Sequence, residues 1–218
     1  YHYECFYPTH MNYSRRDFLT KSLLATSGLS VFPGLASLLH SRSITDIPIR
    51  AITRGPKFHW FGYYDKFQFD STGRYALGMA VDFEGRSPRP DDVIEIGMID
   101  LADGDKWIRL GESRSWGWQQ GCMLQWVPGA TDEVIWNDCE NGQLISRILN
   151  IKTGTSRTLP KPIYTLDPSG KWAIGTEFSR IQKLRPGYGY ASVPDLYEKV
   201  KAPEQIGLYR MDLTTGEN

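Results

Sequence analysis

From residue 58 onward the apolar residues fall into short runs divided by Gly, Pro, Asp, Asn and Ser. Runs of this kind, rich in Val, Ile, Tyr and Trp and bounded by turn formers, predict strands. The predicted strands are residues 75–81, 93–100 and 106–110, then 122–127, 133–137, 143–150 and 156–159, and finally 172–178 and 208–213.

Two turn phrases punctuate these strands. Phe69-Asp70-Ser71-Thr72-Gly73-Arg74-Tyr75 returns as Leu166-Asp167-Pro168-Ser169-Gly170-Lys171-Trp172. In each copy Asp and Ser/Thr fold back on their own backbone, Gly takes a positive φ, and an aromatic opens the next strand. The second phrase recurs as Ile99-Asp100-Leu101-Ala102-Asp103-Gly104, as Leu149 to Gly154 and as Met211 to Gly216, a strand running into a hairpin turn. Two turn phrases alternating along a strand-rich chain predict an all-β fold of the β-propeller type. Residues 58–218 supply about three four-stranded blades, whereas propellers close with about four to eight. The third blade lacks a strand after Gly216, so the chain is expected to be the N-terminal part of a longer protein and a larger ring.

Composition adds little to this picture. The 218 residues are 40% apolar and 23% charged, which suits one sizeable core. Lys+Arg and Asp+Glu are both 25, so no net charge draws the chain to nucleic acid or an anionic membrane. Its many aromatics suit either the filling of blades or the lining of a carbohydrate site. The three cysteines show no metal-ligand spacing.

The segment before residue 58 reads differently. Residues 1–10 match no element and read as extraneous or upstream sequence. Residues 11–41 form a signal peptide in which Ser14-Arg15-Arg16-Asp17-Phe18-Leu19-Thr20-Lys21 precedes a moderately apolar stretch, with Ala36 a suitable last residue before cleavage. Residues 42–57 read as a linker. The paired Arg15 and Arg16 resemble a twin-arginine export signal, which implies that export machinery as partner and a periplasmic or extracellular location. No membrane span is expected to remain after cleavage.

Polar and aromatic residues gather at several places. His59, Trp60, Tyr63, Tyr64 and Asp65 precede the first turn phrase, and Trp116, Trp118, Gln119 and Gln120 stand at the matching place one blade later. Each group is either a sugar-stacking platform with polar anchors or packing between blades. Asn137 and Asp138 end a predicted strand, where they either face a central channel or make a turn. Arg185, Tyr188 and Tyr190 lie on an inserted loop, and arginine is a natural partner for the carboxylate of a uronate sugar. Cys122 and Cys139 are symmetric about Ala130 and Thr131. They are either cross-strand disulfide partners or two thiols, depending on a register that a one-residue shift would break.

The Asp167 to Lys171 phrase resembles the TolB-type, WD-repeat-like propellers, and within that group the chain is similar to oligogalacturonate-lyase-like propellers. The resemblance implies activity on acidic oligosaccharides and a divalent metal held by His and Gln late in the ring. Only His59 lies within residues 58–218, so no metal site and no cofactor is visible there. Two functions stay open: a carbohydrate-active enzyme of the oligouronide-lyase kind, and a non-catalytic propeller that binds carbohydrate or protein. Changing Arg15 and Arg16 together to Lys is expected to abolish export and leave folding intact. Secretion of the double variant at the wild-type level, measured in cell fractions, would remove the signal assignment.

Overall fold

A computed structural model of the chain describes residues 48–218; the Arg15 and Arg16 motif and the first part of the linker lie outside the described residues. Within the described residues, Arg50–Asn218 form one compact unit. It is all-β apart from one short helix, with three consecutive antiparallel sheets. The first comprises β1 (Phe58–Trp60), β2 (Tyr75–Val81), β3 (Ile94–Asp100) and β4 (Lys106–Ser113). The second comprises β5 (Gln125–Trp126), β6 (Glu133–Glu140), β7 (Gln143–Asn150) and β8 (Ser156–Leu159). The third comprises β9 (Thr165–Leu166), β10 (Trp172–Gly175) and β11 (Tyr209–Asp212). Within each sheet, neighbours in sequence are neighbours in space.

The turn phrases do what their chemistry predicts. Asp70 Oδ1 accepts from Tyr75 N at 2.8 Å, and Asp167 Oδ1 accepts from Trp172 N at 2.7 Å. Each carboxylate also takes the hydroxyl of the Thr or Ser two residues on. In the second phrase Asn150 and Asp212 accept from the backbone two and three residues ahead, and Gly154 and Gly216 take the positive φ. The same local bonds therefore start and stop strands in successive sheets.

The sheets pack face to face around two apolar slabs. Leu77, Met79 and Ile96 of the first sheet meet Trp116, Leu124, Val134 and Trp136 at the second. Ile135 and Ile148 of the second meet Ile163, Ala173 and Met211 of the third. The Trp136 indole lies so close to β4 that a Cβ on Gly111 would sit 2.9 Å from the ring.

Four of the expected strands depart by more than one residue. β4 runs on to Ser113 rather than ending at Leu110. β6 runs on to Glu140 rather than ending at Asn137. β5 is short because Met123 takes a φ of 58°, which breaks the run of residues 122–127. β10 stops at Gly175, and Phe178 opens a helix, α1 (Phe178–Leu184), instead of ending a strand. Phe178 is fully buried and stacks on Tyr190 with ring centroids 4.3 Å apart, so tertiary packing draws it out of the strand line.

Hydrogen bonding to Ser169 and to the Trp172 backbone holds the Asp167 carboxyl below its usual range, and the backbone of Thr215 and Thr214 does the same for Asp212. Asp70 is lowered too, its bonds to Thr72 and Tyr75 outweighing its partial burial. A depressed folded-state pKa gives stability that is present above the unfolded value, near 3.9, and lost as pH falls through the folded one. The thermal midpoint is therefore expected to hold from neutral pH down to about pH 4.5 and to fall steeply below it. An Asp70→Asn, Asp167→Asn variant should show a flatter acid limb in the same melts.

Candidate functional site

The first sheet carries an interruption in its edge strand. β1 pairs with the far end of β2, Trp60 opposite Met79, and the pairing resumes with Phe69 opposite Ala76. Residues 61–67 leave the sheet between those two points, and Gln68 O rejoins it by accepting from Leu77 N. This excursion contains Tyr63, Tyr64 and Asp65, and a turn closed by Lys66 N donating to Tyr63 O at 3.1 Å holds it. Tyr64 is 83% exposed, and its ring centroid lies 4.4 Å from that of Tyr63 at an interplanar angle of 42°.

Two more segments reach the same place. Residues 117–121 form a tight turn in which Gly121 N donates to Gly117 O at 2.8 Å. The loop after α1 lies directly on it: a Cβ on Gly117 would meet the carbonyl oxygens of Gly187 and Gly189 at 2.8 Å. Glycine is required by that approach of backbone to backbone. The loop carries Arg185 and Tyr188, and of these the Tyr188 phenol raises and the Arg185 charge lowers the pKa of the Tyr63 phenol.

The charges are ordered from surface to interior. The Arg185 guanidinium lies 4.0 Å from the Tyr188 ring centroid and donates to the Tyr188 hydroxyl at 3.0 Å. Among the described residues it has no acidic partner. Deeper, Lys66 pairs with Asp65 at 2.9 Å and sits 4.7 Å from the Tyr164 ring centroid. The Tyr164 hydroxyl accepts from Gln120 Nε2 at 3.2 Å. Partial burial and the neighbouring Tyr64 phenol raise Tyr63, and burial with the Asp65 carboxylate raises Tyr164. Both phenols thus stay protonated at neutral pH and available as donors. Gln119 is exposed at the rim, with its backbone N donating to Gly187 O.

Other candidates from the sequence pack instead. Trp116 is 1% exposed and donates to Asp92 O, and Trp118 donates to Arg86 O. Together with Trp60 they form a three-indole cluster with centroids 5.0 to 5.6 Å apart. His59 lies edge-on to Trp107 at 5.2 Å, apart from the tyrosines. Asn137 is fully buried, with Nδ2 donating to Ile163 O at 2.7 Å and to the Tyr190 hydroxyl at 2.8 Å, and Oδ1 accepting from Ile163 N at 2.7 Å. Asp138 accepts from Arg114 N and from Arg147 Nε. The buried Tyr190 is the other half of the Asn137 clasp. Asn137 and Asp138 therefore join segments that are distant in sequence.

Cys122 and Cys139 are both free. Asn137 N donates to Cys122 O, so Cys122 stands against Asn137, while Cys139 stands against Leu144 of β7. The turn between β5 and β6 sets Gln125 against Ile135 and Trp126 against Val134, one residue away from the register that would place the two cysteines opposite each other. Burial pushes the Cys122 thiol up, and its Sγ contacts Met79 Sδ at 3.6 Å.

Sequence reasoning passed over Lys66 and Tyr164. Lys66 follows Asp65 at the end of an aromatic run, and its burial depends on Tyr164, which is remote in sequence. Among the described residues no three His, Cys, Asp or Glu side chains gather as a metal-ligand group. No known protein family, curated protein or solved structure matches the chain.

Replacing Asn137 by Ala strands the buried N–H and C=O of Ile163. At about 1–3 kcal/mol for each buried group left unpaired, the loss is expected to be about 2–6 kcal/mol. Urea unfolding of the variant measures it, and a loss below 1 kcal/mol would show that solvent replaces the clasp.

Proposed function

We propose that the three sheets are consecutive blades of an exported β-propeller whose tyrosine–arginine surface recognises acidic oligosaccharides. The repeated turn phrases, the sequential antiparallel sheets and their face-to-face packing support the propeller. The likeness of the Asp167 to Lys171 phrase to TolB-type propellers, and of the chain to oligogalacturonate-lyase-like ones, agrees with it.

One observation carries the ligand assignment: Arg185 is held over the Tyr188 ring, without an acidic partner among the described residues, and its charge acts on the half-buried Tyr63, which packs against the exposed Tyr64. A guanidinium presented in this way suits a ligand carboxylate, and an exposed ring suits the apolar face of a sugar. Enzymatic elimination on an oligouronide is the first reading of the family likeness. The site favours binding without turnover, because Asp65 is ion-paired and the Tyr63 and Tyr164 phenols are raised, which leaves donors rather than a free base.

Titration calorimetry with trigalacturonate tests the assignment, and the ultraviolet absorbance of an unsaturated product tests turnover. Arg185→Ala is expected to weaken binding by about tenfold or more, the equivalent of a charge-assisted hydrogen bond. Tyr64→Ala should weaken trigalacturonate and its methyl ester alike. Unchanged affinity in both variants would move the ligand elsewhere.

A further inference from the structure

Lys66 is the least accessible cation of this site, and its surroundings do not explain its charge. Its side chain is 3% exposed, and its one hydrogen bond is to Asp65 Oδ2 at 2.9 Å. An ammonium has three donors, so two are left without an acceptor among the described residues, facing only the Tyr164 ring. Removing an ammonium from water is heavily unfavourable unless its donors are satisfied, and a straight apolar side chain would fill the same volume without that penalty. The Lys66 backbone is itself held, by the turn from Lys66 N to Tyr63 O and by Gln68 Nε2 donating to Lys66 O.

Asp65 differs from its partner. Its side chain is 37% exposed, it makes no hydrogen bond other than that to Lys66, and it is the next residue in the chain. Rotation about its own χ1 can carry the carboxylate into water while Lys66 stays in place. Asp65, Lys66 and Arg185 together carry one net positive charge, which an anion would neutralise.

We propose that Lys66 is the specificity-determining residue of this surface, and that the Asp65 carboxylate is an internal stand-in which a ligand carboxylate displaces. The proposal rests on the saccharide reading given above and adds to it the group that makes an acid obligatory. In the free protein Asp65 neutralises the amine. In the complex a uronate carboxylate takes the amine with more of its donors satisfied, and Asp65 turns outward to solvent. Arg185 at the rim draws the anion in, and Lys66 beneath it discriminates acid from ester.

The test compares affinities for trigalacturonate and its fully methyl-esterified form in the full chain, with thermal melts to verify folding. The wild type is expected to prefer the acid by about tenfold to a hundredfold, the range of a charge-assisted bond. Lys66→Met, which keeps length and packing, should bring the ratio of acid to ester affinity close to one. Asp65→Asn removes the internal competitor and should tighten acid binding severalfold while lowering the melting temperature of the free protein. A Lys66→Met variant that keeps the wild-type ratio overturns the role of Lys66 and leaves the saccharide reading standing. Weaker acid binding by Asp65→Asn overturns the displacement. A wild type that binds neither sugar overturns both the proposal and the reading beneath it. If Lys66→Met fails to fold, the Asp65→Asn affinities alone decide.

Discussion

The arrangement of this domain depends on one buried amide. Every polar atom of Asn137 is used: its backbone N bonds Cys122 O, its backbone O takes the Ser113 hydroxyl, and its side chain holds both backbone groups of Ile163 and the Tyr190 hydroxyl. Ser113 ends the first sheet, Cys122 lies in the approach to the second, Ile163 leads into the third and Tyr190 lies beyond the helix. Four segments distant in sequence thus meet at a residue with no access to water. A satisfied buried network of this kind is cooperative, since removing one member leaves the others unpaired in a low dielectric.

The candidate site inherits its geometry from that clasp. Tyr190 is held by Asn137 and stacked on Phe178, which fixes the far end of the loop that carries Arg185 and Tyr188. The same loop is seated on the 117–121 turn by contacts that only glycine at 117 permits. The surface side chains are consequently placed by groups that never reach the surface. Charge follows the same division: the guanidinium stands at the rim over an aromatic ring, while the buried ammonium depends on its immediate neighbour in the chain.

How far this was legible in the sequence varied with the range of the interactions. β2, β7 and β8 were read to the residue because turn phrases such as Asp70 to Tyr75 act within a few positions and carry their own signal. The short α1 was hidden. Its Phe178 follows a strand directly, and seven residues are too few to show a helical period. The cysteine register turned on the turn between β5 and β6, which sets Trp126 against Val134, one residue from the symmetric pairing, and a shift of one residue leaves no local pattern. Among the aromatics, those that pack and those that face solvent look alike in sequence. Trp116 and Tyr64 both stand in glycine-flanked polar clusters, and only the fold separates a residue 1% exposed from one 83% exposed.

The excursion of residues 61–67 has a bearing on how such a surface can change over time. Strand pairing is in register on both sides of it, at Trp60 with Met79 and at Phe69 with Ala76, so β2 serves as an unbroken ruler beneath the gap. Residues added or removed there shift no side chain from one face of the sheet to the other, as they would within a continuous strand. Doubling the length of such a loop costs only about 0.6 kcal/mol in closure entropy. Lineages, or a designer, can therefore rewrite the letters and the length of this segment while the sheet that carries it keeps its own sequence, and change in the exposed loop is uncoupled from the register of the strands beneath it.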